Sequence, residues 1–340
     1  MTTHQFSKII NIIFTCSTTV WAYIFKKKYI LYNIKEVKRD LLLLWKVILS
    51  WLFIIIKVLI AIPFLTLLER KILGYIQSRK GPKKVRYIGL LQPVRDGFKL
   101  ILKELGTPNM AKIVLFWIRP LVSFLLMVLA WSLFPSPYSK YSLRLGTVFF
   151  LCIASLQVYT LLGSGWGSKS KYALLGSVRG AAQTISYEVS LIFIIFFPCT
   201  LEYSFNLFYF LDKTYYYILF LRPVCLMWII SCLAETNRAP FDFAEGEREL
   251  VSGFKIEFSA LEFTFLFLAE YGKILLMRFL TSILFFPRSY FFYIIIGSLF
   301  SFWFVWVRGS LPRFRYDLLM NMAWKVLLPI SLFLFFLLVY

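Results

Sequence analysis

Acidic side chains are the groups of this chain whose positions point to chemistry. Six of them crowd into one connection between two apolar segments: Glu235, Asp242, Glu245, Glu247, Glu249 and Glu257. Three others, Glu188, Glu262 and Glu270, lie inside apolar segments or at their edges. A carboxylate at membrane depth is destabilising unless it is paired, hydrated or protonated, so acids found there usually carry protons or ions. The pattern predicts a proton or ion relay.

The alternative is that these acids form ordinary ion pairs in a solvated loop. Three basic residues of the same region are available for that: Arg238, Arg248 and Lys255. Both interpretations stay open for Glu245 and Glu249. Glu188 and Glu270 have few basic residues close in sequence, which favours the relay. Lys273 follows Glu270 by three residues, so a helical ion pair is the competing prediction there.

Other kinds of reactive site are missing from the sequence. There is no glycine-rich phosphate loop, no nucleophile elbow and no pair of histidines, since His4 is the only histidine. The segment GSGWGSKSKY, residues 163–172, lacks the lysine placement of a phosphate loop and is predicted to be a flexible turn. We predict no catalytic residue and no metal site, and we expect any redox cofactor to belong to another chain.

Residue composition places these acids in a membrane protein. Of the 340 residues, 60% are hydrophobic and only 16% are charged. A spanning helix needs about 20 mostly apolar residues. Eight segments meet this requirement: 43–68, 113–134, 146–163, 184–201, 215–234, 260–286, 290–307 and 323–340. Because lipid offers unpaired backbone groups no partner, the predicted fold class is an all-α membrane protein with about eight transmembrane helices.

Two further segments differ from these eight, since one is too polar to span the membrane and the other is only weakly apolar. After Gly89, one helical face is apolar and the other is polar, which predicts an interfacial amphipathic helix. The apolar face consists of Leu91, Val94, Phe98, Leu102 and Leu105. Residues 9–25 form a weaker apolar stretch, and we favour a peripheral or extra helix there over a complete further crossing. The predicted organisation is an N-terminal extension, 1–42, before an eight-helix membrane unit, 43–340.

The net charge of +21 comes from 38 Lys and Arg against 17 Asp and Glu. Most of the loop charges follow spans one, three, five and seven, which indicates membrane topology and contact with anionic lipid. The basic cluster at 26–39 would fall on the opposite side and does not fit this pattern. No folded basic domain is left over, so nucleic acid is not an expected partner.

Five loop motifs together resemble one family, in the same order along the chain. They are ERKILGYIQSRKGP at 69–82, GLLQPVRDGFKLILKE at 89–104, SKYALLGSVRGAAQTISYE at 170–188, AETNRAPFDFAEGERELVSGF at 234–254 and PRFRYDLLM at 312–320. The family is subunit 1 of proton-pumping NADH:ubiquinone oxidoreductase, respiratory complex I. The resemblance runs from about Trp45 to the C-terminus.

The resemblance implies a membrane subunit that joins the membrane arm to the peripheral redox arm and is not catalytic alone. Its expected partners are the quinone-reducing peripheral subunits, adjacent small membrane subunits, membrane lipids and ubiquinone as substrate. NADH, FMN and iron–sulfur clusters would lie on partner subunits, with no cofactor bound by this chain. For the quinone cavity the resemblance implies Arg70, Arg79, Asp96 and Phe98. For the proton relay it implies Glu188, Glu235, Asp242, Glu245, Glu247, Glu249 and Glu270.

The chain departs from the family pattern at several positions. Lys83, Lys84 and Arg86 make the first loop more basic, and Lys255 stands where Asn is common. Glu262 replaces a small or apolar residue and would either add a relay group or meet a partner's cation. The excess of Phe, Tyr, Ile and Lys is typical of an AT-rich organellar genome, so we expect a multi-pass protein of the mitochondrial inner membrane.

Three rival functions are alternatives to this one. The nearest is the equivalent subunit of a membrane-bound hydrogenase-type complex, but QSRKGP and AETNRAPFD favour the quinone form. A stand-alone proton-coupled transporter would show inverted repeats with broken helices in corresponding halves, and no such repeat is visible. A purely structural membrane anchor would leave the acids within the spans unexplained.

Overall fold

The computed structural model describes residues 34–84, 89–104, 106–134, 143–211, 222–242, 255, 257–286 and 290–339. The chain divides into two units, Met1–Leu49 and Ser50–Tyr340. The described part of the first unit, from residue 34, is the beginning of the first helix. Apart from the beginning of that helix, the elements discussed below belong to the second unit.

The regular elements of the described residues are all helical. In chain order they are α1 Ile34–Ile76, α2 Gln92–Ile101, α3 Ile113–Ala130, α4 Gly146–Ser168, α5 Lys171–Leu201, α6 Leu207–Leu211, α7 Arg222–Glu235, α8 Ala260–Phe285, α9 Tyr290–Ser310, α10 Tyr316–Asn321 and α11 Leu328–Val339. A 3₁₀ turn, Trp131–Leu133, extends α3, and a π-helical turn, Met322–Leu327, joins α10 to α11. The prediction of an all-α membrane protein is confirmed.

Six helical stretches of the described residues are long and apolar enough to cross a membrane: Ile48–Ile76, Ile113–Leu133, Gly146–Ser168, Lys171–Leu201, Tyr293–Ser310 and Tyr316–Leu338. They correspond to six of the eight predicted spans. The fifth predicted span is 215–234. Its residues 215–221 lie outside the described part of the chain, and the remaining residues belong to α7. The sixth is the continuous helix α8, whose charged residues reduce its apolar character.

The prediction of a flexible turn at residues 163–172 is wrong. Helix α4 continues to Ser168 and α5 begins at Lys171, so only two residues separate them, and Lys169 has a left-handed φ of 54°. The fourth span therefore begins well before residue 184. Small residues explain the difference, because they let the two helix backbones approach closely. A Cβ on Gly165 would lie 2.0 Å from the Ser177 hydroxyl oxygen.

The core of the second unit is formed by large side chains from most of its long helices. Ile62 of α1, Met127 of α3, Tyr187 of α5, Trp228 of α7 and Met277 of α8 are each no more than 2% exposed. Helix α8 packs against α2, α3, α6, α7 and α9, and α5 packs against α4 and α7. In lipid such packing is stabilised by close van der Waals contact rather than by release of water. Helix α8 is the central element.

The predicted interfacial helix is present as α2, which has ten residues. Three side chains of its predicted apolar face are exposed, with fractions of 46% for Val94, 60% for Phe98 and 81% for Leu102. An apolar face left uncovered by the rest of the chain is typical of a helix at a membrane surface. Leu105 and the N-terminal stretch 9–25 lie outside the described residues, so the boundary at residue 42 stays a prediction.

Replacing Gly165 by Ala should force α4 and α5 apart. The added methyl group would also lie 2.8 Å from the Ala173 carbonyl oxygen, which is backbone and cannot rotate away. Overpacking of this kind costs about 1–3 kcal/mol, so the thermal unfolding temperature of the detergent-solubilised protein should fall. Gly97→Ala is the matched control, since no atom lies within 4 Å of its added methyl group. Equal melting of the two variants would contradict the close approach of α4 and α5.

Candidate functional site

A buried carboxylate at the end of α1 connects three other segments. Glu69 is 7% exposed. The Tyr271 hydroxyl donates a hydrogen bond of 2.7 Å to its Oε2, and Arg238 Nη1 donates one of 3.1 Å to its Oε1. Arg308 of α9 also donates to Oε1. Sequence analysis did not single out Glu69, because its partners are 169 to 239 positions away in the chain.

The charges around Glu69 are unequal, with two guanidinium groups facing one carboxylate. Arg238 also lies over the Tyr271 ring, with its guanidinium carbon 4.3 Å from the ring centre. A buried ion pair is weak as a source of stability, but removing one member leaves an uncompensated charge, which costs about 3–5 kcal/mol. The four side chains therefore fix the relative positions of α1, α8, α9 and the connection after α7.

The next residue, Arg70, makes an ion pair with α2. Its Nη1 lies 2.6 Å from Asp96 Oδ2, and the two side chains are 52% and 35% exposed. Gln92 donates a hydrogen bond of 2.9 Å to the other oxygen of Asp96. Two of the four predicted quinone-cavity residues are thus in direct contact.

The other two predicted cavity residues lie apart from this pair. Arg79 donates a hydrogen bond of 2.9 Å to Gln77 within its own turn. Phe98 lies on α2, two residues after Asp96, and its ring is largely exposed. Nothing in the described part of the chain joins Arg79 to Arg70 or Asp96 by a hydrogen bond or ion pair.

Glu235, at the end of α7, is the most deeply buried of the predicted relay residues that the structure describes, with 2% of its surface exposed. Lys273 of α8 approaches it, with 2.7 Å between Nζ and Oε1. Its other oxygen, Oε2, has no hydrogen-bond partner among the described residues. The sequence-based expectation of a helical pair between Lys273 and Glu270 is therefore wrong, because Lys273 is directed at α7.

Glu270 has a cation that its neighbours in sequence did not predict. Lys255, fifteen positions earlier, makes an ion pair with Glu270 Oε2. The side chains of Lys255 and Glu270 are 11% and 27% exposed. The sequence resemblance marks Lys255 as a departure from the usual Asn, and the ion pair places this positive charge beside a predicted relay acid.

Both of these acids border one cavity of about 70 Å³. Six of its polar lining residues are Gln157, Thr160, Thr184, Glu235, Glu270 and Lys273. A water molecule needs only about 10–15 Å³ of such space and two to four polar partners. The cavity therefore has room for several waters beside the two carboxylates.

Glu188 of α5 is half-buried and makes no ion pair or hydrogen bond with the described residues. The charges of Glu235 and Lys273 both act on it across the α5–α7–α8 contact. Glu188 and Glu235 are 47 positions apart in sequence. The fold places them in one electrostatic environment.

Asp242 joins two of the motifs on which the family resemblance rests. Its Oδ2 lies 3.5 Å from Nη2 of Arg313, and the rings of Phe241 and Phe314 stack with centres 5.6 Å apart. The buried Gln183 amide donates to the carbonyl oxygens of Ala234 and Phe241 at 3.0 and 2.8 Å. These contacts hold the start of the acidic connection. Its remaining predicted relay residues, Glu245, Glu247 and Glu249, lie outside the described residues.

Glu262 is the third residue of α8, after the N-cap residue Ser259, and it is 2% exposed. Ser-x-x-Glu at a helix start is the sequence of a capping box. The box is not formed here, because the Ser259 side chain does not cap the helix and neither carboxylate oxygen of Glu262 accepts a hydrogen bond from the described residues. The role of a relay group for Glu262 stays a prediction.

Comparison with known proteins agrees with the order of the loop motifs. Residues 48–339 match the model of a family described as NADH dehydrogenase. A protein of Aedes aegypti named NADH-ubiquinone oxidoreductase chain 1 is 51% identical over 290 residues, covering 84% of this chain and 93% of its own length. The protein of that name from Locusta migratoria is 52% identical, covering 86% and 95%. That from Danio rerio is 48% identical, covering 82% and 89%.

Replacing Glu69 by Gln should destabilise the protein strongly. Gln keeps the size of the side chain but leaves Arg238 and Arg308 without their negative partner. Because Arg308 is partly exposed, we expect a loss near the lower end of the usual range, about 3 kcal/mol. Thermal unfolding in detergent measures it.

Asp317→Asn serves as the control for Glu69→Gln. Asp317 pairs with Arg315 at 3.1 Å, but the two side chains are 68% and 82% exposed. Such a pair contributes about 0–1 kcal/mol. If Glu69→Gln melts at the same temperature as Asp317→Asn, Glu69 does not hold the four segments together.

Proposed function

The chain belongs to the family of NADH-ubiquinone oxidoreductase chain 1, and from that membership we propose that it forms part of the ubiquinone entry tunnel and part of the proton relay. As a member of the family it is a membrane subunit of the NADH:ubiquinone oxidoreductase complex. The membership favours this function over a hydrogenase-type complex, a stand-alone transporter or a passive anchor. NADH, FMN and iron–sulfur clusters are proposed to lie on partner subunits.

The observation that carries the proposal is the continuity between the two sets of predicted residues. Arg70 contacts Asp96, and the residue beside Arg70 is Glu69. Glu69 in turn contacts Tyr271, which is the neighbour of Glu270. Ion pairs, hydrogen bonds and peptide bonds therefore link Asp96 at one end of this series to Glu270 at the other. Such contiguity supports energetic coupling between the two sets of residues.

Arg70 and Asp96 suit the wall of a tunnel for ubiquinone. An isoprenoid tail needs an apolar opening at lipid level, and a quinone headgroup needs a few polar anchors. The exposed apolar face of α2, with Val94, Phe98 and the adjacent Leu102, would supply the apolar opening. The neighbouring Arg70–Asp96 pair would supply the polar anchors. Because this pair is half-exposed, it is open to rearrangement when a headgroup approaches.

The acids around the cavity suit a relay that responds to quinone reduction. Negative charge developing on a reduced quinone attracts protons toward nearby groups. Water in the cavity beside Glu235 and Glu270 would carry those protons between carboxylates, and neighbouring acids titrate as a coupled set. We assign Glu188, Glu235 and Glu270 to this part. Asp242, Glu245, Glu247 and Glu249 are proposed to extend it through the acidic connection.

Partners and location follow from the same proposal. The relatives' names describe a numbered chain of an oxidoreductase, so this chain assembles with other subunits of such a complex. We propose contact with the quinone-reducing peripheral subunits, with adjacent small membrane subunits and with anionic lipid. Six apolar helical stretches make it a multi-pass membrane protein, and we propose the mitochondrial inner membrane as its location.

Replacing Glu188 by Gln should separate electron entry from quinone-linked turnover. Gln cannot exchange a proton, and a proton-transfer group typically contributes a factor of about 10²–10⁴. We expect NADH oxidation by ubiquinone and proton pumping to fall by about tenfold or more, measured in membranes that contain the assembled complex. Electron transfer to an artificial acceptor that bypasses the quinone site should be unchanged.

Glu202→Gln is the control for Glu188→Gln, because Glu202 is the C-cap residue of the same helix, about 21 Å along the helix axis from Glu188. It should retain ubiquinone activity and pumping. Full ubiquinone activity in the Glu188 variant would remove that residue from the relay.

Replacing Asp96 by Asn should weaken ubiquinone use without removing it. The change breaks the ion pair with Arg70 while keeping the hydrogen-bonding shape of the side chain. Loss of about 1.4 kcal/mol of binding corresponds to a tenfold change, so we expect the KM for a short-chain ubiquinone to rise up to about that factor with little change in kcat. Steady-state kinetics of the assembled complex measure both values.

Arg95→Gln removes a charge from the same helix, at an exposed position next to Asp96, and should leave the KM unchanged. An unchanged KM in the Asp96 variant would argue against a place for α2 in the tunnel.

A further inference from the structure

Lys273 is a buried cation within the group of predicted relay acids. Its side chain is 15% exposed, and that of its partner Glu235 is 3% exposed. No motif used for the family resemblance includes Lys273. Lys273 lies on α8, which also carries Glu270, and it pairs with Glu235 at the end of α7.

Lys273 contacts both Glu235 and the cavity. Its ammonium nitrogen lies 2.7 Å from Glu235 Oε1. Lys273 and Glu270 are three residues apart on α8, so they lie on one face of that helix, and both line the 70 Å³ cavity. A lysine side chain is flexible over four carbons and has three donors. Water in the cavity can bridge the ammonium group to groups on the opposite wall.

The charges around the cavity balance in pairs. Glu235 faces Lys273, and Glu270 faces Lys255. A buried carboxylate without a counter-charge is destabilised by loss of its hydration. Without Lys273, the charged form of Glu235 would be the least stable in this group, because Glu188 acts on it from α5 and adds negative charge.

We propose that Lys273 is a positioning residue of the relay, which holds the Glu235 carboxylate at the cavity wall and balances its charge between proton transfers. When a neighbouring relay acid passes a proton through a cavity water to Glu235, that acid becomes a carboxylate, the charge of Glu235 is neutralised and the ammonium group of Lys273 remains beside the cavity. When Glu235 releases that proton to the next water, the ion pair forms again. The inference rests on the proposed function, since it assumes that Glu235 carries protons.

The groups that face Glu235 determine what a pH measurement will report. They are Lys273 from α8, Glu188 from α5, Cys232 from α7 itself and Glu270 across the cavity. Among these, Lys273 is the cation. Removing Lys273 removes this positive charge, so it should change the pH dependence of turnover more than the loss of an uncharged packing contact would.

The experiment compares Lys273→Met with Lys273→Arg in the assembled complex. The Met variant should lower ubiquinone-dependent NADH oxidation by about tenfold, less than the full effect of a proton-transfer group. Its activity optimum should move to higher pH, because a buried carboxylate loses its proton less readily without a cation beside it. The Arg variant keeps the charge and should recover most of the activity and the original pH profile.

Two controls separate positioning from folding. Lys325→Met removes a lysine at an exposed position of the last spanning stretch, outside the cavity, and should match the unaltered protein. The amount of assembled complex, measured on native gels, should be the same for all variants. A Lys273→Met complex that assembles normally and shows the Lys325→Met activity and pH profile would overturn the inference.

A double variant distinguishes failure of the inference from failure of the proposed function. Glu235→Gln alone should lower ubiquinone activity, and full activity there would overturn the relay itself. If Lys273 acts through Glu235, adding Lys273→Met to Glu235→Gln should cause no further loss. If the two losses multiply instead, Lys273 does not act through Glu235, and the inference fails while the relay stands.

Discussion

The packing of these helices depends on compensating buried charges. Each ionic group in a medium of low polarity needs an opposite charge, a dipole or water close by. Glu69 meets that need with two arginines and a tyrosine hydroxyl. Glu235 and Glu270 meet it with one lysine each and with a shared cavity. The helices are arranged so that each acid faces its partners. Few other side chains lie where they could take the place of those partners.

Helix α8 supplies much of this arrangement. It carries Glu262 at its start, then Glu270, Tyr271 and Lys273 within a single turn. Glu270 and Lys273 face the cavity, whereas Tyr271 reaches Glu69 on α1. Consecutive residues of one helix point in different directions, so a single turn of α8 contacts both Glu69 near the end of the first span and the cavity beside Glu235.

The distribution of charges also distinguishes this chain from a relay built of carboxylates alone. Two lysines stand beside two predicted relay acids, and one of them departs from the common family residue. A paired carboxylate holds its charge more firmly than an isolated one. In the proposed relay, water in the cavity would compete with the lysines for the carboxylate oxygens. Proton exchange would then depend on both the ion pairs and the cavity.

Much of the fold could be predicted because membrane spans are encoded locally. Six spans and the interfacial helix α2 were predicted from apolar length and helical period. The start of α5 was missed, since glycines and serines between residues 163 and 170 look like a turn in sequence. In the structure those small residues pack α4 against α5. Local patterns do not distinguish a glycine that bends a chain from one that admits a neighbouring helix.

Hydropathy and motif order predict acids in or beside apolar spans and the family whose loops surround them, because both are properties of neighbouring residues. Which cation meets which acid depends on how the helices pack. Lys273 lies three residues from Glu270 yet pairs with Glu235, and Lys255 reaches Glu270 across fifteen positions. Partner choice depends on how α7 and α8 cross, and on the path of the chain between them. Ion pairing acts through space, over a few ångströms, whatever the separation along the chain.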